Sequence, residues 1–315
     1  MSSPSSVLPG HSTQRRGVWP AIRRLLPKDF YPYILLTPTV LVILVIVVIP
    51  IFQSVDLSFR DVEIIRPNMD LGPATLKNYQ DLLDSPRFWS SLRFSLIYTA
   101  LVTLFSYLIG IGTAVLLNQK FHGRRIARLL IVLPWAVPVV VATNIFWWLF
   151  NNTYGVINAL LMGLGLIDKT IDWFLNPAAA MVAVITTTVW KGYPFFTIML
   201  LAALQAVPHD LYDAAKVDGA NSWQAFRRIT LPALRSVTGI ALLINALWAF
   251  REFTVIYVLT GGGPVGATQT LSIMTYLEAF DKFEMGFASA IGVVTLVISV
   301  IGSFFFVKLS SSEFY

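Results

Sequence analysis

Charged side chains inside apolar segments are the residues of this sequence best suited to chemistry. Lys191, Arg251 and Glu252 interrupt long apolar runs. A charge at the centre of a bilayer costs roughly 2.5 to 3.5 kcal/mol on insertion scales, so each of these groups needs a compensating partner. In membrane proteins such residues mark solute pathways, ion pairs and gates.

Residues suited to catalysis or metal binding are scarce. The three histidines, His11, His122 and His209, fall outside the apolar runs, and the chain has no cysteine. It has no HExxH zinc pattern, and no Gly-Lys dipeptide such as a phosphate-binding Walker A loop requires. We therefore expect no catalytic residue, no metal ligand and no bound cofactor in this chain. An intramembrane enzyme is an alternative that fits poorly.

The composition excludes an ordinary soluble protein. Of the 315 residues, 56% are apolar and 13% are charged, and the mean hydropathy is +0.69. Soluble domains carry about 25% charged residues. The net charge of +6 comes from 23 Lys and Arg residues that are dispersed between the apolar runs. Because they form no single basic face, we expect no nucleic acid partner.

Six apolar segments are long enough to cross a bilayer, which takes about 20 residues. The backbone of each must satisfy its own hydrogen bonds in lipid, so the predicted fold is an all-α, polytopic membrane bundle. The first segment exceeds the apolar region of a cleaved signal sequence, and we expect it in the mature protein. The predicted transmembrane helices are residues 30–55, 94–118, 129–150, 178–204, 236–259 and 285–307.

The distribution of basic residues predicts the orientation. With the N-terminus in the cytoplasm, 14 Lys and Arg fall inside and 7 outside, while Lys191 and Arg251 lie within predicted helices. The positive-inside rule favours this arrangement. We therefore divide the chain into a cytoplasmic N-terminal arm at 1–29, a six-helix transmembrane domain at 30–308 and a cytoplasmic tail at 309–315.

The longest predicted cytoplasmic loop, 205–235, has the residues of two short helices. Pro208 can open the first helix, and Gly219 can end it. Ser222 is the predicted N-cap of the second helix, and Pro232 is predicted to end that helix before the next span. We expect a compact projection that docks on another protein.

The spacing of residues in this loop resembles the EAA motif of ABC importer permeases. In that motif, glutamate-Ala-Ala is followed after three residues by Gly, and after nine more by Ile-x-Leu-Pro. This chain has aspartate in place of the glutamate. The matching residues are Asp213, Ala214, Ala215, Gly219, Ile229, Leu231 and Pro232.

Further segments are similar to the carbohydrate branch of these permeases, the maltose-type group, and the resemblance covers about residues 30 to 308. Thr254 departs from the pattern, because many members carry aspartate there, and we transfer no acidic contact to it. The similar segments are LPWAVP at 133–138, GVIN at 155–158, WKGYPF at 190–195 and YVLTGGGP at 257–264.

The resemblance implies a division of labour between subunits. It implies a multi-pass permease in the plasma (inner) membrane of a bacterium or archaeon, paired with a paralogous permease. A pair of cytoplasmic ATPase subunits would bind ATP and Mg²⁺, and an extracytoplasmic binding protein would deliver a sugar, polyol or glycoside. Asp213 would be a polar anchor for the ATPase, Ala214 and Ala215 would allow close approach, and Gly219 would form the turn.

Several residues within the spans are candidates for the solute pathway or its gate. Gly192 and Pro194 predict a broken or kinked helix whose freed carbonyl groups would solvate Lys191, in a gating or structural role. Snorkelling or an ion pair within the bundle is the alternative. Arg251 and Glu252 lie about 100° apart on a helix, so each needs its own partner. The candidate pathway residues are Tyr193, Asn245, Trp248, Arg251 and Glu252.

An ion-coupled secondary transporter is the other alternative. It predicts uptake that follows a proton or sodium gradient, whereas an ABC importer requires ATP and a binding protein. The sequence has no convincing internal repeat of the kind common in secondary transporters.

Overall fold

The computed structural model describes residues 31–62 and 72–311, and the regular elements in these ranges are helices. The predicted arm at 1–29 and residues 312–315 of the predicted tail lie outside the described residues. The helices are α1 (Tyr31–Ile43), α2 (Ile49–Ser58), α3 (Lys77–Asp84), α4 (Pro86–Asn118), α5 (Arg124–Ala136), α6 (Val139–Leu149), α7 (Val156–Gly163), α8 (Pro177–Gln205), α9 (His209–Val217), α10 (Ser222–Ala225), α11 (Leu231–Phe250), α12 (Thr254–Thr260), α13 (Leu271–Tyr276) and α14 (Met285–Ser311). Three π-helical turns, Leu44–Val48, Phe226–Thr230 and Leu277–Asp281, link consecutive helices.

The chain divides into two units between Gln53 and Ser54. The described part of the first unit, residues 31–53, is α1, the turn Leu44–Val48 and the start of α2. Nearly all of its described apolar side chains are exposed, as expected of a helix that faces lipid. The apolar span Leu35–Ser58 confirms the first predicted transmembrane segment.

The second unit is organised around α4 and α8, which pack along each other. Gly110 of α4 makes this close packing feasible, because a Cβ atom there would lie 2.3 Å from Cβ of Phe196 in α8. The α4 helix begins eight residues before the predicted segment, at Pro86, where Ser85 accepts a hydrogen bond from the Phe88 amide. Hydropathy alone missed this extension because the first turns carry arginine.

The third predicted span, 129–150, is wrong as a single helix. The chain forms α5 and α6 instead, which meet at an angle of 96°. Pro138 has no amide to donate, and it favours extended backbone at the preceding residue. Val137 accordingly has φ −69° and ψ 133°, and the helix is interrupted there.

The fifth predicted span, 236–259, is also wrong in its bounds. The α11 helix ends at Phe250, and α12 starts at Thr254 after a short break. On the N-terminal side, Pro232 does not end the preceding helix. It lies in the first turn of α11, and the helical chain runs through the turn Phe226–Thr230 from α10 into the span.

The last span agrees with its prediction at the start, Met285, and continues to Ser311. Residues 309–311, predicted as the start of the tail, therefore belong to α14. Gly286 lies close to the backbone of the segment after α2, since a Cβ atom there would lie 2.0 Å from the carbonyl oxygen of Arg60.

Candidate functional site

A cavity of about 310 Å³ lies among α4, α5, α6, α8, α11 and the α11–α12 break. Five residues that the sequence analysis singled out line this cavity: Lys191, Gly192, Asn245, Trp248 and Glu252. Thr254, the position that departs from the family pattern, lines it too. The cavity combines aromatic walls with a few polar groups, which is the usual make-up of a small-molecule site.

Asn245 and Ser106 supply unpaired hydrogen-bonding atoms next to this cavity. Asn245 is 5% exposed, and its Oδ1 atom has no hydrogen-bond partner among the described residues. The Ser106 hydroxyl is likewise buried and unpaired in the described part of the chain. Both side chains converge on Gly192, where a Cβ atom would lie 3.3 Å from Ser106 Oγ and 3.6 Å from Asn245 Nδ2. Gly192 therefore leaves room between them.

Trp248 and Phe195 form an aromatic wall of the cavity. Their ring centroids lie 4.9 Å apart with the planes at 61°, an edge-to-face contact that orients the indole. Trp248 remains about half exposed, so part of its surface is free to contact a solute.

The charge of Lys191 is stabilised by carbonyl groups of α5 and not by groups of its own helix. The sequence analysis predicts a break around Gly192 and Pro194, but α8 is helical without interruption. The Lys191 ammonium instead donates to the carbonyl oxygens of Pro134 at 3.0 Å, Trp135 at 3.0 Å and Val137 at 2.5 Å. The predicted break in α8 is therefore wrong, and the carbonyls that bind this lysine belong to the helix interrupted before Pro138.

Glu252 and Arg251 occupy the break between α11 and α12 and have different surroundings. Glu252 Oε1 accepts from the Val255 amide at 3.0 Å and thereby caps the start of α12. Arg251 is exposed and does not line the cavity, and its Nε donates to the Leu247 carbonyl at 3.4 Å. The structure therefore groups Glu252 with the cavity and separates Arg251 from it.

Two other predicted residues lie outside the cavity lining. Tyr193 is half-buried in α8, and Pro194 is buried within the same helix. Trp135, Thr188 and Phe195 line the cavity although the sequence analysis did not single them out. Trp135 and Phe195 lie in the quoted segments 133–138 and 190–195, which were the available signal, whereas nothing local distinguishes Thr188.

The predicted cytoplasmic projection has the expected first helix and turn. Pro208 is the N-cap of α9, and Gly219 follows its end with φ +75°, a left-handed conformation that suits glycine. The Ala220 amide donates to the Ala215 carbonyl at 2.9 Å and closes the turn. Asn221, not Ser222, is the N-cap of α10, in a reciprocal capping box with Gln224.

The two halves of the EAA-like sequence have different environments. Asp213 and Ala214 are exposed, and Asp213 forms an exposed ion pair with Lys216 at 3.0 Å. Leu231 packs on the core of the second unit, and Ile229 is half-buried. The first half thus faces outward, whereas the second half joins the projection to α11, with Pro232 exposed in its first turn.

Exposed apolar side chains accompany the outward-facing half. Val217 is 88% exposed at the end of α9, and Leu211 and Trp223 are also exposed. Trp223 is held by stacking on Phe226, with ring centroids 5.5 Å apart. Exposed apolar groups on a charged loop suit contact with another protein.

Known proteins resemble this chain over most of its length. Residues 106–312 match the family described as "Binding-protein-dependent transport system inner membrane component". The trehalose/maltose transport system permease protein MalF of Thermococcus litoralis is 35% identical over 283 residues, which cover 90% of this chain and 93% of that protein. The sulfoquinovosyl glycerol transport system permease protein SmoG of Agrobacterium fabrum is 34% identical over 269 residues, covering 85% of this chain and 86% of that protein.

A solved structure resembles the fold. The bacterial ABC transporter involved in the import of the acidic polysaccharide alginate matches with a TM-score of 0.79 at 23% identity, covering 94% of this chain and 98% of that one. At this level of identity the likeness establishes the helical arrangement.

Proposed function

This chain belongs to the family of binding-protein-dependent transport system inner membrane components, and from that premise we propose how it works. It is the membrane permease of an ATP-driven importer for a sugar or a related polyol or glycoside. It moves the solute by alternating access, and a separate ATPase drives the change through the loop 205–235.

A continuous mechanical connection between the loop and the cavity carries this proposal. Leu231, in the EAA-like sequence, begins α11, and Asn245 and Trp248 on the same helix line the cavity. Fourteen residues separate Leu231 from Asn245, about 21 Å at the rise of an α-helix. A displacement of the loop is therefore transmitted by one rigid element to the proposed solute contacts.

The exposed half of the loop is the proposed ATPase contact. Asp213 and Ala214 face outward, and Val217 and Trp223 offer apolar surface that residues 31–62 and 72–311 leave uncovered. The Tyr212 and Thr230 hydroxyls lie 3.0 Å apart and tie α9 to the helix that leads into α11. The ATPase subunits would bind ATP and Mg²⁺, and their closure would push on this surface.

The polar groups of the cavity suit a hydroxylated solute. Lys191 and Glu252 already engage backbone groups, and the unpaired Oδ1 atom of Asn245 is the lining acceptor proposed to bind a solute hydroxyl. Trp248 and Phe195 offer aromatic surface to the apolar faces of a sugar ring. Two named relatives carry carbohydrate-derived solutes, which supports the same class.

The complete importer requires partners. A paralogous permease would supply the other wall of the pathway, and an extracytoplasmic binding protein would deliver the solute. Both termini of this chain would lie in the cytoplasm, as the distribution of basic residues indicates.

Uptake in proteoliposomes tests the proposal. This chain is reconstituted with its partner permease, ATPase and binding protein, and radiolabelled sugars and polyols are offered outside with ATP inside. We expect uptake that requires both ATP and the binding protein. Uptake driven by a proton or sodium gradient without ATP would instead establish a secondary transporter.

A further inference from the structure

A second cavity of about 710 Å³ lies between the α4–α5 connection and the loop that contains α9 and α10. Its lining includes four basic side chains: Lys120, Arg124, His209 and Lys216. None of the residues that line it is aspartate or glutamate. The cavity is therefore an open basic surface, in which Lys216 is paired with the exposed Asp213 and the lining itself contributes no carboxylate.

The start of α5 adds to this positive potential. Helix N-termini carry a partial positive charge and favour acidic residues. The first turn of α5 has no acidic residue and contains Arg124 and Arg125, with Arg128 one turn further on. Its N-cap, Gly123, offers no side-chain acceptor to the free amides. An anion bound here would offset a charge distribution that is otherwise unfavourable.

Arginine donors at this place have no acceptor within the described residues. Arg124 Nε, Arg128 Nε and Arg128 Nη2 are buried and form no hydrogen bond within residues 31–62 and 72–311. Leaving a buried donor unpaired is destabilising, and more so when the group is charged. A planar guanidinium with free donors is well suited to bind phosphate oxygens.

An apolar slot adjoins the basic cavity. The slot has a volume of about 260 Å³ and is lined by Arg128 and by aliphatic residues of α5 and α8, among them Ile131, Ile198 and Leu201. Gln205 lines both the slot and the basic cavity. The arrangement places anion-binding donors beside a space that suits a hydrocarbon chain.

We propose that this paired site binds an anionic phospholipid of the cytoplasmic leaflet. The phosphate lies where the basic cavity meets the slot, between Arg124 of the cavity and Arg128 of the slot, and an acyl chain occupies the slot. Basic pockets between membrane helices on the cytoplasmic side are suited to such headgroups. Inorganic phosphate shares the headgroup chemistry, but it would leave the slot unused. The bound lipid connects α5 to the α9–α10 loop and so steadies the loop against the bilayer.

Lipid binding to the purified full-length chain tests this proposal. Native mass spectrometry and the thermal unfolding midpoint are measured with phosphatidylglycerol, with phosphatidylcholine of the same chains, and with inorganic phosphate. We expect phosphatidylglycerol alone to bind and to raise the midpoint. The double variant R124A/R128A should weaken its binding by about 30-fold, at about 1 kcal/mol for each basic residue.

The matched control is R227A/R228A. These two arginines are exposed and line neither cavity, so their removal lowers the charge equally and should leave lipid binding unchanged. If R124A/R128A does not fold, Lys120→Ala at the exposed rim replaces it, with an expected loss of about fivefold.

Four outcomes would overturn the proposal. Two concern the ligand: phosphatidylcholine binds as well as phosphatidylglycerol, or millimolar inorganic phosphate raises the unfolding midpoint as much. Two concern the variants: R227A/R228A weakens lipid binding as much as R124A/R128A does, or the folded variant of R124A/R128A and Lys120→Ala binds phosphatidylglycerol as the parent chain does. None of these outcomes depends on whether the chain imports sugar.

Discussion

The Lys191 ammonium in α8 and the Val137 carbonyl at the end of α5 form a hydrogen bond across 54 residues of sequence. With the Pro134 and Trp135 carbonyls, Val137 completes a ring of three acceptors around one cation. The bend before Pro138 frees these carbonyls, and the lysine is satisfied by them. The carbonyls freed by the bend therefore stabilise the lysine charge inside the membrane, and the lysine supplies them with hydrogen-bond donors.

Lys191→Met should destabilise the protein by about 1 to 3 kcal/mol, because the carbonyls at the bend lose their donor. The thermal unfolding midpoint of the purified chain measures this loss. Lys169→Met, at an exposed position of a loop, is the control and should leave the midpoint unchanged. Lys191→Arg keeps the charge and the donors, so its unfolding midpoint should fall less than that of Lys191→Met. Equal midpoints for Lys191→Met and the parent chain would refute the capping role.

Gly219→Asp should leave the protein in the membrane but uncouple ATP hydrolysis from uptake. A Cβ atom at Gly219 meets nothing within 4 Å among the described residues, so the added bulk would contact the docked ATPase. The left-handed backbone, φ +75°, adds a penalty of about 1 kcal/mol. ATPase activity and solute uptake are measured together in proteoliposomes.

Gly165→Asp controls for the backbone penalty alone. Gly165 also has a left-handed backbone, φ +69°, with open space around it, and it lies outside the loop 205–235. Its variant should keep coupled transport. Full uptake by Gly219→Asp would contradict the docking role.

Asn245→Leu should raise the KM for sugar uptake by about tenfold, since a buried amide that pairs with solute contributes 1 to 3 kcal/mol. Initial uptake rates over a range of sugar concentrations give KM and kcat separately. Thr295→Val is the control, because that hydroxyl bonds within α14 to the Ile291 carbonyl and does not line the cavity. An unchanged KM in Asn245→Leu would show that Asn245 does not bind the solute.

Glu278→Ala should destabilise the protein by about 1 to 3 kcal/mol, because Arg87 and Lys282, which are partly exposed, lose their shared acceptor and the buried side chain leaves a void. Glu278 is 1% exposed and accepts from Arg87 at 2.6 Å and Lys282 at 2.9 Å. Asp61→Ala removes an exposed pair with Lys77 and should cost at most about 1 kcal/mol. The thermal unfolding midpoints of the two variants are compared. Similar decreases would contradict the claim that the buried carboxylate contributes more stability than the exposed one.

Local patterns accounted for much of the loop 205–235. Pro208 and Gly219 act at the start and end of α9 as predicted, since capping and left-handed turns depend on a few adjacent residues. The prediction that Pro232 ends a helix is wrong, because the effect of a proline depends on its position within the helix. A proline that would end a helix from its interior is accommodated in the first turn of α11.

The sequence by itself determined the membrane class, the family and the all-helical fold, and all three are confirmed. Hydropathy is an average over neighbouring residues, and motif spacing is a set of positions along the chain. Both can therefore be read without the fold. Only the tertiary structure decided that α5 and α6 meet at 96°, that Lys191 caps α5, and that Asn245 but not Arg251 lines the cavity. These features depend on contacts between distant segments, and composition along the chain does not contain them.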